Sequence, residues 1–178
     1  MEASAPSTRS SSAFAEYRTG DHFVASSETP TKPADVARHL LDLLLHKEMD
    51  QFCDMWAEDG TVEIPFAAPG AISHMAGRET IRSYLTHYCD HQLIDDLPHV
   101  HIHETTDPEV VIAEWTAHGT TVSTGKKYEM RYIIVITVRD GKVVNYRDYF
   151  SPLLAARAAN DRTELLAPFK DEDFPFGG

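Results

Sequence analysis

The sequence predicts an α+β fold, a curved mostly antiparallel sheet packed against N-terminal helices to form a cone with an internal pocket. Three observations predict it. Apolar residues recur at helical spacing from Val36 to Trp56 and again after Gly77. Four runs with strand character then follow without a helix between them: Pro98–Thr105, Val110–Val122, Tyr128–Arg139 and Val143–Phe150. The last two are joined by Asp140-Gly141, a tight hairpin signal. Helices first and a meander afterwards put the helices on one face of the sheet.

Taken in order, residues 1–32 are rich in Ser, Thr and Pro and lack a sustained period, so they read as an arm. Phe14, Tyr17 and Phe23 are unusual in a solvated tail and suit a tether to a neighbouring subunit. The cone-shaped domain spans 33–158. Its first helix starts at Pro33 and carries Val36, Leu40, Leu43 and Leu44. A second segment, capped by Asp50, continues through Met49, Phe52, Cys53 and Trp56 and closes at Gly60. Thr61 to Phe66 reads as a short strand stopped by Pro65 and Pro69. Gly77 opens a third helix with Ile81, Tyr84, Leu85 and Tyr88 on one face and Arg82 and His87 off it. Residues 159–178 form a polar C-terminal tail punctuated by Pro and Gly.

Composition excludes several classes. Sixteen Lys and Arg against 28 Asp and Glu give a net charge of −12, which repels nucleic-acid phosphates and anionic lipid. No apolar run approaches the roughly 20 residues of a membrane-spanning helix. Cys53 and Cys89 form no disulfide framework, so the expected compartment is the cytoplasm. Phosphate loops and the Gly-x-Ser-x-Gly elbow are missing, and no cofactor is expected.

The chemistry centres on Asp148. A period of two puts Val144, Tyr146, Asp148 and Phe150 on one face of the last strand, with Asn145, Arg147 and Tyr149 on the other. If the first face lines the cone, desolvation raises the Asp148 carboxyl from about 3.9 toward neutrality, where one group donates and accepts a proton. The alternative parity makes Asp148 a solvated surface carboxylate. The same alternation turns Ala113, Trp115, Ala117 and Gly119 inward, and likewise Met130, Tyr132, Ile134 and Ile136. With Phe66, Tyr84, Tyr88 and Phe150 they make an aromatic-walled cavity, in which Ala117 and Gly119 leave room for a ligand. Hydroxyls of Tyr84, Tyr132 and Tyr146 suit the orientation of a reacting oxygen. The simpler reading is that these aromatics fill a core.

His99, His101 and His103 alternate along one strand. Val100 and Ile102 form its apolar face, so the histidines are sent to the outer face of the sheet. A metal site is not expected there; a dimer or solvent face is.

Trp56-Ala57-Glu58-Asp59-Gly60-Thr61-Val62-Glu63-Ile64-Pro65-Phe66, Gly77-Arg78-Glu79-x-Ile81, and Asp140-Gly141-Lys142-Val143 followed by Tyr146-Arg147-Asp148-Tyr149-Phe150 resemble the nuclear-transport-factor-like superfamily of cone-shaped α+β proteins. The resemblance runs from about Val36 to Ala156. Ketosteroid isomerases carry their base where this chain has Ile64 and an oxyanion Tyr near Leu40. Limonene-type epoxide hydrolases match at 147–150, but their Arg-x-Asp pair would fall at Trp115 to Ala117, which are uncharged. SnoaL-like cyclases place an acid/base Asp at the position of Asp148. The phenazine-biosynthesis A/B proteins have a Glu there and share something like Ile102-x-Glu104-Thr105-x-Asp107-Pro108 and His118-Gly119. Their functional His on the third helix matches Tyr84.

That last branch implies a homodimer, paired through the outer sheet face, that binds a small apolar substrate and performs cofactor-free cyclisation, condensation or isomerisation. Asp148, Tyr84 and Tyr146 are the expected catalytic residues. Phe66, Tyr88, Trp115, Ala117, Met130, Tyr132 and Phe150 are the expected substrate contacts. The alternatives are an epoxide-opening hydrolase or cyclase, and a ligand-binding or dimerisation module without chemistry.

Overall fold

A computed structural model describes residues 30–68 and 70–159. The expected arm up to residue 29, with Phe14, Tyr17 and Phe23, and the tail from residue 160 lie outside the described residues. The elements in chain order are α1 (Pro33–His46), α2 (Met49–Asp54), β1 (Trp56–Glu63), β2 (His74–Ala76), α3 (Arg78–Leu85), α4 (Tyr88–His91), β3 (Gln92–Glu104), β4 (Val110–Thr121), β5 (Lys126–Arg139), β6 (Lys142–Phe150) and α5 (Pro152–Ala159).

α1 forms because Pro33 supplies a preset φ at the first helical position and an apolar stripe follows it. Ala34, Val36, Ala37, Leu40, Leu41, Leu43 and Leu44 are buried by it. It ends at Lys47, which takes the left-handed conformation (φ 65°) and gives its N–H back to Leu43 and Leu44 carbonyls. Glu48, rather than Asp50, occupies the cap position of α2.

One open sheet of six strands, ordered β2-β1-β6-β5-β4-β3, receives the helices. It is antiparallel except where β1 runs parallel to β6. That pairing corrects the expected end of the second helical segment. Trp56 pairs with Val143 and Thr61 with Asn145, so four residues of β1 lie against one of β6 and the strand bulges. Gly60 fits the bulge because a Cβ there would lie 2.9 Å from the Trp56 ring and from the Val143 carbonyl. Gly60 is thus a close-packing glycine inside a strand, and sheet pairing overrides the helical pattern that led into it. The strand expected to run to Phe66 stops at Glu63 instead.

The third helix divides. α3 ends at Leu85, and Tyr88 begins the separate short helix α4. β3 begins at Gln92, six residues before the expected start, because Leu93 and Ile94 already pair with Thr120 and Gly119. The β5–β6 turn is as expected: Asp140 (φ 50°) and Gly141 (φ 73°) both take positive φ, as a two-residue hairpin requires. The core lies between α1, α2 and the inner sheet face, with Val36, Leu40, Trp56, Ile81, Ile94, Ile134, Ile136 and Val143 fully enclosed. No described helix is long and apolar enough to cross a membrane.

Candidate active site

The inner sheet face and the helices enclose a cavity of about 430 Å³. Its sheet wall comes from alternate residues of adjacent strands: Trp115 of β4, Met130 and Tyr132 of β5, and Tyr146, Asp148 and Phe150 of β6. The strands hold these in register, with Trp115 opposite Tyr132, Tyr132 opposite Phe150, and Asp148 opposite Ile134. The Trp115 and Tyr132 rings stack at 4.1 Å with 9° between their planes. Phe52 and Trp56 close one side, the Trp56 ring lying 5.5 Å from that of Tyr146. Tyr84, Leu85, His87, Tyr88 and His91 form the helical rim with Ala155 of α5.

Two sets of polar contacts fix that rim. Arg82 of α3 reaches the Asp50 and Asp54 carboxylates of α2. The buried Thr121 hydroxyl donates to the Ala158 carbonyl at 2.8 Å, pinning the far end of α5 to β4.

Asp148 is partly buried as a residue, but its Oδ1 is sealed from solvent and has no hydrogen-bond partner among the described residues. Desolvation alone pushes the carboxyl up, to about 7. Among the described residues no Lys or Arg lines the cavity to oppose that shift. The tyrosines around it respond in the same sense, since burial raises the phenols of Tyr88, Tyr132 and Tyr146 and keeps them protonated. Behind the wall Tyr128 is pushed up to about 12 by burial, partly offset by hydrogen bonding to Tyr88. The cavity therefore offers one carboxyl poised to exchange a proton at neutral pH, beside neutral hydroxyl donors.

Of the residues expected from sequence, Asp148, Tyr84, Tyr146, Tyr88, Trp115, Met130, Tyr132 and Phe150 come together here. Tyr146 is deep in the wall, whereas Tyr84 is 47% exposed at the rim. Phe66 does not join them. It lies past the end of β1, 61% exposed, and packs edge-on against Tyr149, whose side chain is on the opposite face of β6 from Asp148. Ala117 is also absent from the wall, because its methyl is wholly enclosed in the core. The room expected at Gly119 is taken by protein: a Cβ there would lie 2.3 Å from both the Leu93 carbonyl and the Tyr128 ring. Its missing side chain seats Tyr128, whose hydroxyl donates to the Leu93 carbonyl at 3.3 Å.

His87, read as off the helix face, was missed. The break after Leu85 turns it into the rim, where its Nδ1 lies 2.9 Å from the Asp90 carboxylate. Trp56, Phe52 and Met49 were legible as a helical apolar stripe, but nothing in a stripe tells cavity wall from filled core. His99 and His101 are exposed, as the outer-face reading expects, while His103 is partly buried and contacts Glu114 at 3.0 Å.

Comparison with known proteins agrees with this architecture. A SnoaL-like domain model matches residues 37–146. The uncharacterized protein YesE of Bacillus subtilis is 31% identical over 127 residues, which is 71% of this chain and 86% of its own. An uncharacterized PhzA/B-like protein of Pseudomonas aeruginosa is 33% identical over 119 residues, 67% of this chain and 84% of its own. A Bacillus subtilis crystal structure, of a protein provisionally named an isomerase, matches with a TM-score of 0.69 at 30% identity, over 72% of this chain and 92% of that one. The chain belongs to the SnoaL-like family, in its PhzA/B-like branch.

Proposed function

We propose that this protein is a cofactor-free acid–base catalyst that cyclises, condenses or isomerises a small, mostly apolar molecule. The observation that carries the reading is Asp148, a carboxyl with a sealed, unpartnered oxygen on the wall of a largely apolar cavity. As a carboxylate it takes a proton from a carbon next to a carbonyl or imine; as the acid it returns that proton to another atom of the same substrate. Tyr146 from the wall, or Tyr84 from the rim, donates to the oxygen on which charge develops. Trp115 and Phe150 keep water away from the reacting atoms. The PhzA/B-like and isomerase names of the relatives are in keeping with this reading.

In turnover with a candidate substrate, Asp148→Asn lowers kcat by about 100-fold or more while the variant stays folded. Near-normal turnover in that variant removes Asp148 as the acid/base. A second reading, ligand binding without chemistry, is favoured by one observation: among the described residues no other Asp, Glu, Lys or Arg lines the cavity with Asp148. Under it, ligands bind and leave unchanged. Epoxide opening has the same carboxyl but no charge at Trp115 to Ala117 to pair with it.

The working form we propose is a homodimer joined through the outer sheet face, where Ile133 is 45% exposed among polar neighbours. Sedimentation of the full chain as a monomer would remove it. The cytoplasm is its proposed compartment, a reading supported by two free thiols, Cys53 and Cys89.

A further inference from the structure

Arg38, Arg78, Arg82, Arg131 and Arg139 each reach a carboxylate. Arg147, half-buried on the outer face of β6, reaches none among the described residues, and its Nε is sealed from solvent without a hydrogen-bond partner there. Glu63 stands beside it in register on β1, but that carboxylate takes the Asn145 amide at 2.7 Å. A guanidinium set into a sheet in this way costs free energy until a carboxylate meets it.

Beside Arg147 the outer face carries an apolar strip. Register runs one line from Glu114 through Ile133 to Tyr149, whose ring meets Phe66 at 5.4 Å. A second line runs from Ile112 through Val135 to Arg147. Phe66 and Ile133 are well exposed, so the strip is open to a partner. Arg147 lies on its β6 side and the exposed Glu114 on its β4 side. One oxygen of Glu114 contacts His103 at 3.0 Å; the other has no hydrogen-bond partner among the described residues.

We propose that a second copy of this chain seats on the strip about a twofold axis along β5, so that Arg147 of each copy pairs with Glu114 of the other. This rests on the homodimer reading and adds the arrangement and the ion pair that fixes it. A twofold along β5 lays β6 of one copy over β4 of the other. Ile133 and Val135 then pack near the axis, and Tyr149 with Phe66 covers Ile112 of the other copy. Arg147 and Glu114 are offset by two residues along the strands, about 7 Å, a gap the long arginine side chain bridges. Symmetry forms the pair twice. A different partner would have to bring both a carboxylate and a matching apolar strip, and this face already carries both.

The test is sedimentation equilibrium of the full chain with two charge reversals, Arg147→Glu and Glu114→Arg. In either variant alone, like charges meet twice across the axis, and the dimer dissociation constant should rise at least roughly 10-fold. In an equal mixture one chain offers acids at both positions and the other offers cations at both. Mixed dimers regain both pairs, with a dissociation constant within about threefold of the parent's. A role confined to one copy cannot give that recovery, because mixing changes neither chain. Circular dichroism checks folding. If Arg147→Glu fails to fold beside Glu63, Glu114→Arg carries the test: its weakened dimer should tighten again in about 0.5 M salt, which screens the repulsion.

A parent dimer whose affinity Glu114→Arg leaves unchanged overturns the pairing and leaves the homodimer reading standing. So do two folded variants that weaken the dimer and show no recovery on mixing, and a Glu114→Arg dimer that salt does not tighten. A parent chain that sediments as a monomer removes both readings.

Discussion

Replacing Asp148 by Asn should stabilise the folded chain, and the gain should grow with pH. The carboxyl stands at about 7 in the folded protein against an ordinary value of 3.8. Between about pH 4 and pH 7 the native state thus holds a proton that the unfolded chain releases. Stability that is fully present below about pH 4 is lost as pH rises through 7, because ionisation must then occur in the cavity. From the two values, the cost of the carboxyl is about 1.7 kcal/mol at pH 5 and about 4 kcal/mol at pH 8.5. Asn keeps the shape and removes the ionisation. The advantage of Asp148→Asn over the parent should therefore widen by about 2.5 kcal/mol between those pH values. In urea melts this is a relative displacement of the midpoint on the order of 1–2 M. Every other titrating group is common to both proteins and cancels in the difference. An advantage of the same size at both pH values would show that Asp148 is solvated, and the acid–base reading would lose its physical basis.

Three further outcomes follow from particular contacts. Gly119→Ala should cost about 2–4 kcal/mol in chemical denaturation, because its Cβ would meet the Leu93 carbonyl and the Tyr128 ring at 2.3 Å; a neutral result would mean that β3 or Tyr128 yields freely. Thr121→Val removes the hydroxyl that holds the Ala158 carbonyl; limited proteolysis should then cut within α5 faster than in the parent, while the unfolding free energy in urea falls by about 1–3 kcal/mol. Gly141→Ala strains a turn residue at φ 73° and brings its Cβ to 3.0 Å from the Pro30 carbonyl, so a loss of about 1 kcal/mol or more is expected by thermal melting.

How far the sequence reveals this molecule depends on which interactions are local. The period of two set the parity of β4, β5 and β6 correctly, because one buried face makes register unambiguous. Asp148 between Tyr146 and Phe150 was legible on those grounds, and so was the Asp140-Gly141 turn. The pattern around Trp56 to Gly60 was misread because its determinant is non-local: the partner of the bulge is Val143, nearly ninety residues away. Phe66 looked like wall by hydrophobicity alone, yet Pro65 carries the chain past the strand end to the other side. Ala117 and Gly119 showed the converse error. A small residue in a strand signals either space or a close neighbour, and at Gly119 the neighbour is Tyr128. His87 escaped notice because the break between α3 and α4 turns it, and helical periodicity cannot see a break.

Asp148 sits on β6, third of six strands, hydrogen-bonded on one flank to β1 and on the other to β5. Asp148 itself pairs with Ile134 of β5, and the β1 ladder ends one residue earlier, at Arg147. The rim, by contrast, is built from short helical pieces joined to the sheet by a few side-chain contacts. Such a division separates the carboxyl from the rim: substitutions among rim side chains would change what enters the cavity while leaving in place Asp148, the group proposed above as the proton carrier.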